Sequence, residues 1–179
     1  MEKEYRILTE CYIDYMIMQA ILGFSPNDQH AGINDIGIKL EKNYKGRKAV
    51  VLIDDDKIKA KFLNDYILQK ESRQLRIKLL RHKKDLHFAI QISKASESWI
   101  LEACKMAGVD ITKYRLPNTA PKLAGITKST HAFQDTRLQQ VLNTLSQKKS
   151  KHFEWIRSCV NEILVEKKST SSSKRKKIK

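Results

Sequence analysis

The stretch that most constrains this chain is Ala49 to Ile53 (AVVLI), an unbroken apolar, β-branched run that ends abruptly in Asp54, Asp55 and Asp56. Such a run without polar alternation suits a strand buried on both faces, the situation of a parallel sheet covered by helices on each side. It predicts the central strand. Around it the period alternates. Tyr5 to Thr9 (YRILT) reads as a short strand leading into a helix that closes at Gly23, and Gly32 to Tyr44 places Ile33, Ile36, Leu40 and Tyr44 on one helical face. Ile58 to Leu68 (IKAKFLNDYIL) is amphipathic at helical spacing, LRIKLL and LHFAIQI are two further strand candidates around the basic stretch Arg81 to Asp85, and Ala95 to Met106 returns to helix before Gly108. The alternation implies an α/β fold with a small, mostly parallel sheet flanked by helices. After Pro117 come Pro121, Gly125 and a polar stretch, then two helix candidates over 135–147 and 152–165 that close one side of the sheet. At 179 residues this is one domain with an appendage: an α/β domain over 1–116, a C-terminal helical extension over 117–166 and a basic tail over 167–179.

In parallel α/β sheets, sites form at the carboxyl ends of strands. Carboxylates occupy three such ends here: Glu10 with Asp14 four residues on, Asp54 to Asp56, and Glu97 just beyond HFAIQIS. Several carboxylates meeting in space repel unless a divalent cation neutralises them, and hard oxygen donors suit Mg²⁺ or Mn²⁺. The ligand set expected is Glu10, Asp14, Asp54, Asp56 and Glu97, and the chemistry is phosphoryl transfer or hydrolysis.

This order of parts resembles the TOPRIM fold of type IA topoisomerases, primases and OLD-family nucleases. The matching motifs are Glu10 and Asp14 in ILTECYID, Asp54 and Asp56 in VVLIDDD, and Glu97 ahead of Trp99 in ASESWIL, over about Tyr5 to Gly108. The family usually has Gly where this chain has Cys11. The resemblance implies a small Mg²⁺-dependent nuclease acting on DNA or RNA. It also implies anti-phage defence beside a separate ATPase subunit. A topoisomerase would need a tyrosine nucleophile on a large gate, and a primase further template-binding elements, so hydrolysis is the simplest remaining reaction. The alternative is a non-catalytic nucleic-acid-binding or interaction subunit with a weakened site.

Each residue also has a plainer reading. Asp54 to Asp56 can cap a following helix, Glu10 can be a first-turn helix acid, Asp14 a solvated one, and Glu97 ordinary helix-start chemistry. Lys57, Lys94 and Lys128 are candidates for steadying phosphate charge, with Lys128 set among the catalytic residues beside Glu10, Asp54 and Asp56. Lys128 in GITKST is not a Walker A lysine, since Thr127 stands where Gly is needed. The histidines lack metal-ligand spacing, and Cys11, Cys104 and Cys159 match neither a disulfide framework nor a zinc site, which favours a reducing, cytoplasmic setting.

Charge points to the partner. Lys and Arg number 35 against 20 Asp and Glu, a net +15, and the tail KKSTSSSKRKKIK holds seven of the basic residues and no acid. The body keeps 28 basic and 20 acidic residues, a net +8, so a polyanion such as nucleic acid is favoured independently of the tail. The charged start MEKEYR does not read as a signal peptide, and no run is long enough to span a membrane.

Overall fold

The structure is a computed structural model, and it describes residues 6–23, 32–55 and 61–164. Its elements run β1 (Ile7–Thr9), α1 (Tyr12–Leu22), α2 (Ile33–Asn43), β2 (Ala49–Asp55), a 3-10 turn (Lys61–Asp65), β3 (Tyr66–Ser72), β4 (Ile77–His82), β5 (His87–Ser93), α3 (Ser96–Ala107), α4 (Ala120–Thr127), α5 (Thr136–Gln147) and α6 (Lys151–Leu164). One five-stranded sheet orders them β1-β2-β5-β4-β3. The α/β class holds, but the sheet is mixed: β1 and β2 pair in parallel, as do β2 and β5, whereas β5–β4 and β4–β3 are antiparallel.

The antiparallel half corrects the expectation of a mostly parallel sheet, and its cause is loop length. Only short turns separate β3 from β4 and β4 from β5, enough for a hairpin and far too short for a crossover. β2 has a neighbour on each side, though the middle place belongs to β5. The helix expected over Ile58 to Leu68 is also corrected. Its described part is one 3-10 turn followed by strand, because Tyr66–Ser72 pairs along β4 through a register shift between Leu68 and Lys70. Three-dimensional pairing overrides the local period there, and the resulting edge strand leaves Ile67 and Leu68 about half exposed.

The two faces of the sheet are covered unequally. Ile7, Val50, Leu52, Ile77, Ile90 and Ile92 point into a large core with α1, α3, α5 and α6, and that core runs without a break across residue 116 into the C-terminal helices. The opposite face carries Leu8, Val51, Ile53 and Ala89 under α2, whose Ile36 and Leu40 are buried there, with Phe62 and Leu63 of the 3-10 turn beside them. Gly23 and Gly108 end α1 and α3 in left-handed conformation, φ 76° and 64°, where other residues are disfavoured. Among the described residues no helix is long and apolar enough to cross a membrane.

Near the start of α6, His152 is fully buried, edge-on to Trp99 at a centroid distance of 5.1 Å, and among the described residues neither ring nitrogen has a hydrogen-bond partner. Burial pushes its pKa below the usual imidazole value, against the opposing charge of Glu102. The unfolded chain therefore takes up this proton more readily. Stability from His152 is full above pH ~6.5 and declines as pH falls below it. His152→Met removes two unsatisfied polar atoms while filling similar space. Urea midpoints should show a variant at least as stable as the parent at pH 7, with less loss at pH 5; an equal loss at pH 5 would move the acid sensitivity to other groups.

Candidate functional site

The parallel half of the sheet delivers the carboxylates. Thr9 of β1 sits level with Leu52 of β2, and the Glu10 amide donates to the Leu52 carbonyl at 3.3 Å, so the chain leaves β1 beside the end of β2. Glu10 Oε2 then accepts the Asp54 amide N–H at 3.3 Å. The Glu10 carboxylate thus meets the Asp54 backbone at the carboxyl ends of neighbouring parallel strands.

Asp54 also receives the start of α3. The corner from β5 passes through Lys94 in left-handed conformation, φ 69°, and presents Ser96 to Asp54. The Ser96 amide donates to Asp54 Oδ2 at 3.3 Å, and Ser96 Oγ lies 2.6 Å from Asp54 Oδ1. Asp54 is therefore a helix cap, but for α3 rather than for the segment that follows it in sequence. The same Ser96 Oγ lies 2.6 Å from Asp14 Oδ1, and Cys11 Sγ donates to Asp14 Oδ2 at 3.1 Å.

A hydroxyl has one hydrogen to give. Two short contacts from Ser96 Oγ to two carboxyl groups hold together when one of those groups supplies a proton itself. Asp14 is the group that keeps it. Fully buried in the first turn of α1, its carboxyl is held well above the usual carboxylate range by burial, then by the charge of Asp54, with Glu10 adding to it, and the bonds from Ser96 and Cys11 do not offset these. Burial likewise pushes the Cys11 thiol up, so it serves as a weak donor and not as a thiolate. The resulting chain runs from Asp14 through Ser96 to Asp54 and from the Asp54 amide to Glu10.

The other expected residues are placed differently. Glu97 is buried one position beyond Ser96, but its Oε1 accepts the Thr127 hydroxyl from the end of α4. Among the described residues no hydrogen bond or ion pair joins Lys128 to Glu10 or Asp54; it is exposed just past α4, adjacent to that Thr127. Lys94 is exposed at the corner it turns. Asp55 accepts from the Gln91 side chain at 3.1 Å. Asp56 and Lys57 lie outside the described residues. Sequence reasoning missed Ser96 and Thr127. Ser96 sits in SESW, which reads as helix-start chemistry, and Thr127 belongs to a helix that Pro121 and Gly125 concealed.

Among the described residues, no three or more His, Cys, Asp or Glu side chains are arranged to hold a metal ion. Mg²⁺ does not require that many, since it is commonly held by one or two carboxylates and completed by water and substrate phosphate oxygens. Glu10 and Asp54 fit that requirement: hard oxygen donors on adjacent strand ends, joined through the Asp54 amide and only partly buried. Asp14, fully enclosed where Asp54 is only partly buried, fits a supporting place instead. Glu97 Oε1 is engaged by the Thr127 hydroxyl. Comparison with protein-family models, with curated proteins and with solved structures finds no match for this chain.

Proposed function

We propose that this chain is a TOPRIM-like, Mg²⁺- or Mn²⁺-dependent phosphodiester hydrolase acting on nucleic acid. The observation that carries the reading is the meeting of Glu10 and Asp54 across β1 and β2, with Asp56 two residues further along the same chain. Glu10 and Asp54 would hold the cation, which when bound would supply polarisation of a phosphate oxygen and activation of water. The remaining work falls to the chain. Ser96 and its amide fix the Asp54 side chain in one orientation, the Glu10 bond to the Asp54 amide holds the two strand ends together, and a neutral Asp14 supports the network without adding a further negative charge. Net positive charge on the body gathers the polyanion.

A second reading, a nucleic-acid-binding subunit without catalysis, is favoured by one specific observation: Asp14 and Asp54 are already bridged by Ser96 within the protein. Calorimetric titration of Mn²⁺ separates the two. The parent should give saturable heat, and an Asp54→Ala, Asp56→Ala protein should give none while keeping its circular dichroism. Cleavage of DNA or RNA should fall by more than about 100-fold in the same variant, since even residues that only orient ligands are worth 10- to 100-fold. No saturable heat from the parent, with nucleic-acid binding intact in chelator, would establish the second reading.

A further inference from the structure

The end of the sheet opposite the carboxylates carries a separate concentration of charge. Residues 44–48 (YKGRK) lead into β2, and residues 81–86 (RHKKDL) join β4 to β5. In the fold these two basic turns are fastened together. The Gly46 amide donates to Asp85 Oδ1 at 3.0 Å, His87 Nε2 meets the Tyr44 carbonyl at 2.9 Å, and the Ala49 amide donates to the Leu86 carbonyl at 3.2 Å. The second turn is stiffened further, because His82 Nδ1 accepts the amides of Lys84 and Asp85 at 3.2 and 2.8 Å. The acid of this region is spent inward: Asp85 binds backbone amides and lies 3.7 Å from buried His87.

What the turns show to solvent is cationic. Lys45, Arg47, Arg81, Lys83 and Lys84 are exposed and Lys48 half-exposed. Only Lys83 of the six has a carboxylate within ion-pair distance among the described residues, Asp65 at 3.9 Å. The aromatic rings nearby face inward. Tyr44 and Tyr66 pack on the core under α2, and Tyr66 meets the Phe62 and His82 rings at 5.8 and 5.1 Å. A single strand is normally held by bases stacking on exposed rings, and among the described residues of these turns none is offered, whereas fixed cations spaced over two rigid turns suit the regularly spaced phosphates of a duplex.

We propose that the joined turns 44–48 and 81–86 form a binding surface for the phosphate backbone of a nucleic-acid duplex, separate from the carboxylate site. β2 and β5, seven residues each, run from this surface toward Asp54 and Ser96, a separation of about 20 Å at 3.3 Å per residue. The surface grips; it does not cut. It shares with the proposed function the class of ligand, but not the metal or the chemistry.

The test is fluorescence-anisotropy titration of labelled duplexes, DNA and RNA in parallel, in EDTA at about 50 and about 200 mM salt. A Lys45→Gln, Arg47→Gln, Arg81→Gln, Lys84→Gln protein should bind at least tenfold more weakly than the parent. Its salt slope should be shallower by about 3 to 4, roughly 0.9 for each phosphate contact removed. A Lys113→Gln, Lys122→Gln, Lys148→Gln, Lys151→Gln protein loses the same charge from other exposed positions and should stay within about twofold of the parent in affinity. Equal losses in the two variants, no duplex binding by the parent, or displacement of duplex by an equal concentration of single strand would each overturn the proposal. The turn variant should keep the parent's Mn²⁺ heat, so failure of this surface and failure of the metal site are read separately.

Discussion

Trp99→Ala is expected to destabilise the protein by about 3–5 kcal/mol, the range for removing a large aromatic from a packed core. Trp99 is 1% exposed in α3 and joins three parts of the molecule. Its ring lies parallel to Phe153 of α6 at 5.8 Å, meets His152 edge-on, and donates its indole N–H to the Leu75 carbonyl in the β3–β4 turn at 3.1 Å. Truncation would open a cavity between α3 and α6 and leave a buried carbonyl unpaired. Against a total of about 5–15 kcal/mol for a domain, that is a large fraction. Trp99→Phe keeps most of the packing and loses the hydrogen bond, so about 1–2 kcal/mol is expected. Chemical denaturation of the two variants measures both. A loss below about 1 kcal/mol for Trp99→Ala would mean that α6 does not depend on this contact for its place.

The second large effect concerns Asp14 and Ser96. Because folding raises the Asp14 pKa, the folded protein keeps a proton that the unfolded chain releases near pH 4. The contribution of this residue to stability is therefore greatest below pH ~4 and declines as pH rises toward the folded pKa, the reverse of an ordinary salt-bridged aspartate. Asp14→Asn substitutes a side chain that is neutral at every pH and able both to donate to Ser96 and to accept from Cys11. It should match the parent in acid and exceed it at neutral pH. Ser96→Ala leaves Asp14 Oδ1 without its partner and strips Asp54 of one of its bonds, at an expected loss of about 1–3 kcal/mol. Urea midpoints taken from pH 4 to pH 8 test the pair. A parent whose stability climbs through that window, with Asp14→Asn tracking it, would show that Asp14 is ionised in the folded state.

How much of this was legible in the sequence follows from which interactions are local. β2 was visible as an unbroken apolar run, and the helices over 136–147 and 151–164 because their burial repeats along the chain with a period that needs no partner. β3 was not, since Tyr66, Ile67 and Leu68 carry a helix-compatible spacing and become strand only by lying against β4. α4 was hidden by Pro121, which reads as a breaker but sits in the first turn, where its missing N–H is harmless. Glu10, Asp14 and Asp54 were read as candidates because strand ends are where parallel sheets expose side chains. No spacing rule connects residues 14, 54 and 96, so the bridging hydroxyl appears only in three dimensions. Glu97 was read with the same group, and its bond to Thr127 was not foreseen because Thr127 lies on the helix that was hidden.

The mixed sheet has a consequence for how the molecule acquires its parts. β3, β4 and β5 are joined by short turns, so their ladders close small loops, whereas Ile7 must find Val50 and Ala49 must find His87, each roughly forty positions away. Distant pairings are the slow ones in chain assembly. The Arg81 to Lys84 turn therefore takes shape with the early hairpins, while the Glu10 and Asp54 pair exists only after the parallel half has docked. A chain caught midway holds the 81–86 turn alone, because residues 44–48 join it through Gly46–Asp85 and Ala49–Leu86 only when β2 docks on β5, the same step that brings Asp54 to Ser96.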